Sequence, residues 1–302
     1  MKFSSGVLLL LIVSPALTAA DNPITYLALG DSVSFGMNDA LVPPYTDTVP
    51  TPSEFVGYPE ILAALIRPFR ISSLANAACP GETSGSFLNT ASPDNGCNSD
   101  HIIYPPPGST LPEITLPPFK PSIGLHVSYS GSQMAYALSQ LGTGSDVNLV
   151  TLMIGANDVL LVLPELETCT PQPTCAQTAL DGVLETYGNN LADILGGIRT
   201  VYRGTLVLVT YYAPSPALNS IAQALNSTMT TVGAKFEGIT IADGYEAFQL
   251  ASAPFGGDPC AAGLLIKLPP NPYNTSACDV HPSPLGRNLL AATVDFALLL
   301  KH

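Results

Sequence analysis

The chain has 302 residues, a formal net charge of −13 at pH 7 and only ten Lys and Arg residues. A surface this acidic repels polyphosphate and anionic lipid, so the composition argues against nucleic-acid binding and supplies no basic patch for a membrane surface. The length fits one large domain.

The first twenty residues have the features of a secretory signal peptide. Lys2 precedes the apolar run Val7–Val13, which is too short to span a bilayer, and small residues lead to a cleavage site after Ala20. The alternative is an N-terminal helix of the core. We expect residues 1–20 to be removed and residues 21–302 to form a single secreted domain without an integral membrane span.

Apolar runs then alternate with helical patterns, which is typical of a parallel sheet covered by helices on both faces. The candidate strands are Thr25–Leu29, Phe69–Leu74, Val147–Ile154, Thr205–Tyr211 and Ile239–Ala242. The sequence therefore predicts an α/β fold with a five-stranded parallel sheet.

Apolar residues at helical spacing predict three helices that pack on this sheet. One helix precedes the third strand, one follows it, and one ends the chain. The stripes are Met134, Leu138 and Leu141; Leu180, Leu184, Tyr187, Leu191, Ile194, Ile198 and Val201; and Leu285, Leu289, Ala292, Phe296 and Leu299. We interpret all three stripes as faces that contact the core.

Residues 86–127 fit neither periodicity. Their stretch YPPPGSTLPEITLPPFKP contains prolines that are incompatible with a helix or a central strand. A loop of this length in a compact domain is usually functional or disordered. Because Cys97 would tie this loop to Cys79, we predict an ordered lid or wall over the active face, with a disordered linker as the alternative. Leu163–Thr178 is predicted to be a smaller stapled loop.

Six cysteines indicate disulfides, because an even count in a secreted chain usually forms them. Proximity along the chain predicts the pairs Cys79–Cys97, Cys169–Cys175 and Cys260–Cys278. A metal site is the alternative, but the chain has no CxxC pair and only four histidines.

Two sequons, at Asn226 and Asn274, predict glycans if the host is a eukaryote. Both fall in the second half of the chain.

Unusual residues follow three of the predicted strands. The first strand is followed by LGDSVSFG with Ser32, the second by NAACPGETS with Gly81, and the third by IGANDV with Asn157. In a doubly wound sheet, functional loops cluster at the carboxyl ends of the strands. Each block alone is common turn or helix-cap chemistry. All three nevertheless occur in order, and His281 follows just before the last predicted helix.

These residue types suit attack on an ester. A serine hydroxyl is a weak nucleophile that needs a neighbouring base, and the oxyanion formed by the attack needs donors that are already in place. The N–H groups of Ser32 and Gly81 and the side-chain amide of Asn157 would supply three. Gly81 has no side chain, so a substrate can approach its backbone closely.

The pattern resembles the SGNH hydrolases, also called the GDSL family of esterases and lipases. The blocks of that family appear here as Gly30-Asp31-Ser32, Gly81 within NAACPGET, Gly155-Ala156-Asn157-Asp158 and His281-Pro282. The sequences CPGETS, IGANDV and DVHP look most like its secreted, disulfide-containing members. The resemblance implies a three-layer α/β/α, flavodoxin-like fold without a metal or organic cofactor. It also implies Ser32 as nucleophile and His281 as base, with Ser32, Gly81 and Asn157 as the oxyanion hole.

The acid of the implied triad departs from the family pattern. Many members carry aspartate three residues before the histidine, where this chain has Cys278, and the nearest carboxylate is Asp279. In an extended segment Asp279 and His281 point to the same side, and Pro282 favours extended backbone before it. The alternatives are a backbone carbonyl near Cys278, a remote carboxylate, and an Asp279 that is only a solvated surface charge.

The first functional hypothesis is a secreted serine esterase that hydrolyses lipid or short-chain acyl esters through an acyl-enzyme. An alternative is a deacetylase of polysaccharide esters, although the chain has no Trp to stack on a sugar, and only its twelve Tyr could serve. A third hypothesis is an inactive secreted binding protein of the same fold. Its weakness is that all four chemistry-bearing residue types are retained. We expect a monomer whose partner is a small or polymeric ester.

Overall fold

The computed structural model describes residues 24–66, 71–106, 108–169, 173–274 and 276–301. The predicted signal peptide lies outside these residues. The strands are β1 (Ile24–Gly30), β2 (Ile71–Asn76), β3 (His101–Ile103), β4 (Ile114–Leu116), β5 (Val147–Met153), β6 (Thr205–Val209), β7 (Ile239–Ala242), β8 (Leu265–Lys267) and β9 (Cys278–Pro282). The helices are α1 (Ser32–Phe35), α2 (Tyr58–Ile66), α3 (Ser84–Leu88), α4 (Phe119–Ser122), α5 (Gln133–Leu141), α6 (Ala156–Thr168), α7 (Pro173–Val201), α8 (Asn219–Gly233), α9 (Gly244–Ser252) and α10 (Pro284–Leu299).

Five strands form one parallel sheet in the order β2-β1-β5-β6-β7. Residues 26–29 of β1 are completely buried, because neighbouring strands flank them and helices cover both faces. Each of the five predicted strands overlaps one strand of this sheet. The prediction of a five-stranded parallel sheet is therefore confirmed.

The helices form two layers. α2, α9 and α10 contact one another, and α10 also contacts β7. α3, α5, α6, α7 and α8 are joined by a second set of contacts, and α5 also contacts β1. The result is the three-layer α/β/α, flavodoxin-like sandwich that the resemblance implied. None of the helices in the described residues has the length and apolar character needed to cross a bilayer.

The strand order changes direction between β1 and β5, because β2 lies on one side of β1 and β5 on the other. In open α/β sheets, ligands bind outside the carboxyl ends of the strands at such a switch point. Here the backbones also touch, since the Asp31 N–H donates to the Met153 carbonyl at 3.2 Å. Gly30 has φ +136°, and a Cβ atom on it would lie 2.1 Å from the same oxygen. Only glycine fits there.

The core stripes predicted for α5 and α7 are largely confirmed. Tyr187, Leu191 and Ile194 are completely buried on α7, as Leu141 nearly is on α5. Val201, at the end of α7, is the exception and is 44% exposed.

The core stripe predicted for α10 is wrong. Its exposed members are Leu285, Ala292, Phe296 and Leu299. The inward face instead carries Leu290, which is completely buried, and Gly286. α10 is apolar on several sides, so periodicity alone did not identify the packed face. Gly286 determines it, because a Cβ atom there would lie 2.2 Å from the Leu264 carbonyl oxygen.

The proline-rich segment 86–127 is ordered. β3 and β4 pair as an antiparallel hairpin, and Phe119 packs its ring against Phe35 and Phe55. The prediction that its prolines exclude a helix was too strict, because α4 contains Pro121. Pro121 lies in the first turn, where a missing N–H costs no intrahelical hydrogen bond.

The loop predicted over Leu163–Thr178 is mostly helix. α6 continues to Thr168 with Pro164 inside it, and α7 begins at Pro173, a residue type favoured at the first position of a helix. Residues 170–172 lie outside the described part of the chain. The two cysteines of this segment therefore staple two helix ends.

The disulfides are Cys79–Cys97, Cys169–Cys175 and Cys260–Cys278. These are the pairs predicted from proximity along the chain. The first disulfide ties the proline-rich segment to the end of β2. The third holds the first residue of β9.

Asn226 is not a glycan site in this fold. It is only 8% exposed on α8, its Nδ2 donates to the Tyr211 carbonyl at 2.7 Å, and its Oδ1 accepts from the Tyr211 N–H at 2.8 Å. A glycan would replace one of the amide hydrogens and would need a path out of the core. Asn274 is half-buried, and its glycosylation stays a prediction.

The corrected orientation of α10 predicts opposite effects for two apolar truncations. Leu290→Ala should lower the free energy of unfolding by about 2–5 kcal/mol, because it leaves a cavity in the core. Phe296→Ala should change that free energy by no more than about 0.5 kcal/mol, because this side chain is 60% exposed. Urea unfolding measures both. A larger loss for Phe296→Ala would mean that the helix packs with the other face, and equal losses would contradict this orientation.

Candidate active site

Three side chains form a continuous hydrogen-bonded row. His281 Nε2 lies 2.9 Å from Ser32 Oγ, and His281 Nδ1 lies 2.8 Å from Asp279 Oδ1. Both contacts are satisfied when Nδ1–H donates to the carboxylate and Nε2 accepts from the hydroxyl. This arrangement can activate Ser32 as a nucleophile.

Ser32 is the first residue of α1, directly after β1. Asp31 caps this helix by accepting the Val33 N–H at 3.0 Å, and it also accepts the Tyr211 hydroxyl. Burial raises the pKa of Asp31 to about 6. At a helix N-terminus the Ser32 N–H has no intrahelical acceptor. The fold therefore offers both an oriented hydroxyl and a backbone donor at this residue.

β9 presents the acid and the base. Because Asp279 and His281 are two residues apart in a strand, their side chains share one side, while Val280 between them is 43% exposed. Asp279 is 2% exposed, so it is not a solvated surface charge. Its carboxylate lies beside His281 Nδ1. A backbone carbonyl near Cys278 was the alternative partner for this nitrogen, and the Asp279 carboxylate occupies that position instead.

Gly81 and Asn157 line the same cavity as Ser32. Asn157 Nδ2 donates to the Glu82 carbonyl at 3.0 Å, and its Oδ1 accepts from Asn95 Nδ2 at 3.2 Å. These contacts fix the orientation of the amide and leave its second N–H for another acceptor. Gly81 has φ +82°, and a Cβ atom there would lie 2.2 Å from the Asn95 carbonyl oxygen.

A buried polar network under the site joins the blocks that follow β1 and β2. Gln133 Oε1 accepts the Gly30 N–H at 2.6 Å, and its Nε2 donates to the Gly30 carbonyl at 2.9 Å and to Glu82 Oε2 at 3.0 Å. Burial raises the pKa of Glu82 to about 7. No sequence pattern pointed to Gln133, which adjoins the apolar stripe of α5 and is completely buried.

A second carboxylate, Asp39, lies next to the base. Its Oδ1 is 3.5 Å from His281 Nδ1, and no motif in the sequence pointed to it. Burial by itself lowers the pKa of His281, but the adjacent Asp279 and Asp39 outweigh burial and hold that pKa well above its ordinary value of 6.5. The imidazolium form is therefore strongly stabilised at this site.

The site opens into a cavity of about 590 Å³. Among the described residues, its lining contains no Lys or Arg. Apolar side chains predominate, and one part of the lining comes from α6 and α8. That part consists of Val159, Leu160, Leu163, Ile221, Ala222 and Leu225. A cavity of this kind suits an uncharged, apolar ligand.

Within the described residues, two groups of side chains lie close enough together to hold a metal ion, but in each group two of the three side chains are already bonded to each other. Cys79 and Cys97, which lie beside Glu82, are joined in a disulfide. In the other group, Asp279 and His281 are already hydrogen-bonded to each other. The chemistry of these donors therefore does not fit a metal centre.

The other two described histidines are hydrogen-bonded to partners other than Ser32. His101 Nδ1 lies 3.1 Å from Asn95 Oδ1, and His126 Nε2 lies 3.0 Å from the Phe35 carbonyl oxygen. Neither contacts Ser32. His302 lies outside the described residues. His281 is therefore the histidine beside the serine.

Comparisons with known proteins identify the family and the fold. The family model described as GDSL-like Lipase/Acylhydrolase matches residues 26–294. Phospholipase A1 from Streptomyces albidoflavus shares 17% identity with a TM-score of 0.53, over 91% of this chain and 100% of the other. The extracellular lipase from Streptomyces rimosus shares 16% identity with a TM-score of 0.53, over 91% and 99% of the two chains. No curated protein matches in sequence.

Ser32 is predicted to react with a fluorophosphonate probe. One equivalent should attach to Ser32 in the wild type and none in Ser32→Ala, because among the described residues this is the hydroxyl hydrogen-bonded to a histidine. Intact-mass and peptide mass spectrometry measure the adduct. Ser122→Ala is the matched control, since Ser122 lines the same cavity and its loss should leave labelling unchanged. A correctly folded wild type that never labels would contradict the assignment.

Proposed function

We propose that this chain, which belongs to the GDSL-like lipase/acylhydrolase family and therefore hydrolyses esters, is a secreted serine esterase that acts on carboxylic esters of apolar acyl groups. The observation that carries the proposal is the row Ser32–His281–Asp279 in the wall of a mostly apolar cavity. Each step of the reaction assigns a task to one of these side chains.

The first half-reaction forms an acyl-enzyme. Ser32 Oγ attacks the carbonyl carbon while its proton passes to His281 Nε2. The carbonyl oxygen becomes an oxyanion, which accepts hydrogen bonds from the N–H groups of Ser32 and Gly81 and from the Asn157 amide. The bond to the alcohol oxygen then breaks, and the departing oxygen takes the proton from His281.

The second half-reaction reverses these roles with water. His281 Nε2 takes a proton from the water that attacks the acyl carbon, and returns it to Ser32 Oγ as the acid is released. Asp279 holds the ring through Nδ1–H and stabilises the imidazolium in both halves. Burial by itself would raise the pKa of Asp279, but the adjacent His281 holds that pKa below its usual range. Asp279 therefore stays ionised through the cycle.

The acyl chain is assigned to the part of the cavity between α6 and α8. The alcohol must leave beside His281, which donates its proton, and that side also carries Asp39, Tyr45 and Asn274. The α6 and α8 part, in contrast, is purely aliphatic. It lies on the other side of the switch point from the loops after β1 and β2, because α6 follows β5 and α8 follows β6.

This lining favours acyl esters of lipids over acetylated polysaccharide. A sugar polymer needs polar partners along its length, whereas the lining of this cavity is mainly apolar. The absence of Lys and Arg from its described lining also favours an uncharged ester. An inactive binding protein of the same fold would have no use for a serine held 2.9 Å from a histidine.

Secretion is proposed from two features. Residues 1–20 have the composition of a signal peptide, and the chain forms three disulfides, which persist in oxidising compartments. Within the described residues all six cysteines are paired, and none is free.

The acyl-chain assignment predicts a chain-length profile on p-nitrophenyl esters from acetate to palmitate. Wild-type kcat/KM should peak at medium or long chains, because the α6 and α8 part accepts them. Ala222→Phe should lower kcat/KM for the long chains by about 10- to 200-fold and leave acetate nearly unchanged, because the new ring fills this part of the cavity.

Two variants serve as controls. Ala224→Phe changes the same helix at a half-buried position that does not line the cavity, and should keep the wild-type profile. Ser32→Ala supplies the blank rate. A wild-type peak at acetate that collapses beyond butyrate would contradict the proposal and favour a deacetylase.

A further inference from the structure

Two carboxylates from distant parts of the chain lie beside the imidazole of His281. Asp279 lies on the same strand, whereas Asp39 begins a 3₁₀ turn at Asp39–Leu41. The Asp39 N–H donates to Asp279 Oδ2 at 3.0 Å, and its side chain lies 3.5 Å from His281 Nδ1. The backbone of Asp39 thus contacts Asp279, and its side chain approaches His281.

The turn that carries Asp39 is stabilised by a hydrogen bond at each of its ends. Asn38 caps it by accepting the Ala40 N–H at 3.1 Å, and the Val42 N–H closes it on the Asp39 carbonyl at 3.1 Å. Val42 packs with Phe35 in the small apolar cluster under this loop. Asp39 is therefore held in place by the fold and does not approach His281 by chance rotation of a free loop.

We propose that Asp39 is a positioning residue of this active site, which orients Asp279 through its N–H and supplies a second negative charge to the imidazolium. The proposal rests on Ser32 and His281 acting as nucleophile and base. His281 is then flanked by a pair of carboxylates, Asp279 at 2.8 Å and Asp39 at 3.5 Å from Nδ1. Burial raises the pKa of Asp39, whereas the adjacent His281 favours its charged form.

The described side chains around His281 include no Lys or Arg that would neutralise the negative charge of Asp39 and Asp279. The titratable side chains that face the histidine and the two carboxylates are Asp31, Tyr45, His101 and Tyr212. None is Lys or Arg, and no Lys or Arg lines the cavity among the described residues. The charge that the pair attracts is therefore the proton on His281.

The paired carboxylates determine the pH range of activity. The base must be neutral to accept the proton of Ser32, so activity rises with pH as His281 loses its extra proton. Two adjacent carboxylates favour the imidazolium and shift this acid limb to higher pH. Removal of one carboxylate shifts the limb to lower pH.

The test compares pH profiles of kcat/KM on p-nitrophenyl butyrate for the wild type, Asp39→Asn, Asp279→Asn and the double variant. Asp39→Asn keeps the backbone N–H and the side-chain size, and should move the acid limb down by about one pH unit. A single Asp→Asn change in a serine triad can cost about 10⁴ in turnover. The loss of turnover in Asp279→Asn should be at least about tenfold smaller than this, because Asp39 remains beside His281. The double variant should show the full loss of about 10⁴.

The controls separate this role from a structural one. Asp47→Asn removes an exposed carboxylate from a neighbouring loop position that does not line the cavity, and should not move the limb. If Asp39→Asn fails to fold by circular dichroism, Asp39→Ser should give the same shift. An unmoved limb in folded Asp39→Asn, or an Asp279→Asn loss equal to that of the double variant, would overturn the proposal. An active Ser32→Ala would instead refute the serine mechanism itself.

Discussion

The close contact between the ends of β1 and β5 is the constraint on which the site depends. Gly30 lies against the Met153 carbonyl with no room for a side chain, and the Gln133 amide occupies both backbone groups of Gly30. The same amide reaches Glu82, whose carbonyl fixes Asn157. Ser32 and Asn157, the proposed nucleophile and side-chain oxyanion donor, are thus placed by backbone packing and by one buried amide.

Electrostatics at the site follow from the shortage of basic residues in this acidic chain. Buried carboxylates usually recruit Arg or Lys, whereas Asp31, Glu82 and Asp158 are satisfied by hydroxyl, amide and backbone N–H donors. Such neutral partners leave no strong cation near the catalytic row. His281 is then the group that responds to the nearby negative charge, which is why its pKa rises in spite of burial.

The sequence predicted the parts of this structure that depend on local pattern. Buried strands, their parallel order and the serine, glycine, asparagine and histidine blocks are visible as apolar runs and strand-end motifs. The packed face of α10 was not predictable, because its inward side is set by the close approach of Gly286 to Leu264. Asp39 was likewise invisible, since it reaches His281 only through a turn separated from it by most of the chain. Burial of Asn226 depends on the backbone at Tyr211 in the same way.

The two carboxylates beside His281 also bear on what happens after catalysis. Ester hydrolysis liberates a carboxylic acid, which is ionised at neutral pH because such acids titrate near pH 4. This anion forms beside the carboxylates of Asp39 and Asp279, in a cavity whose described lining has no Lys or Arg to retain it. While His281 is neutral, these carboxylates repel the anion and leave the uncharged ester unaffected, so we expect the released acid to bind less tightly than the ester. Protonation of His281, whose pKa lies well above 6.5, offsets this repulsion as the pH falls.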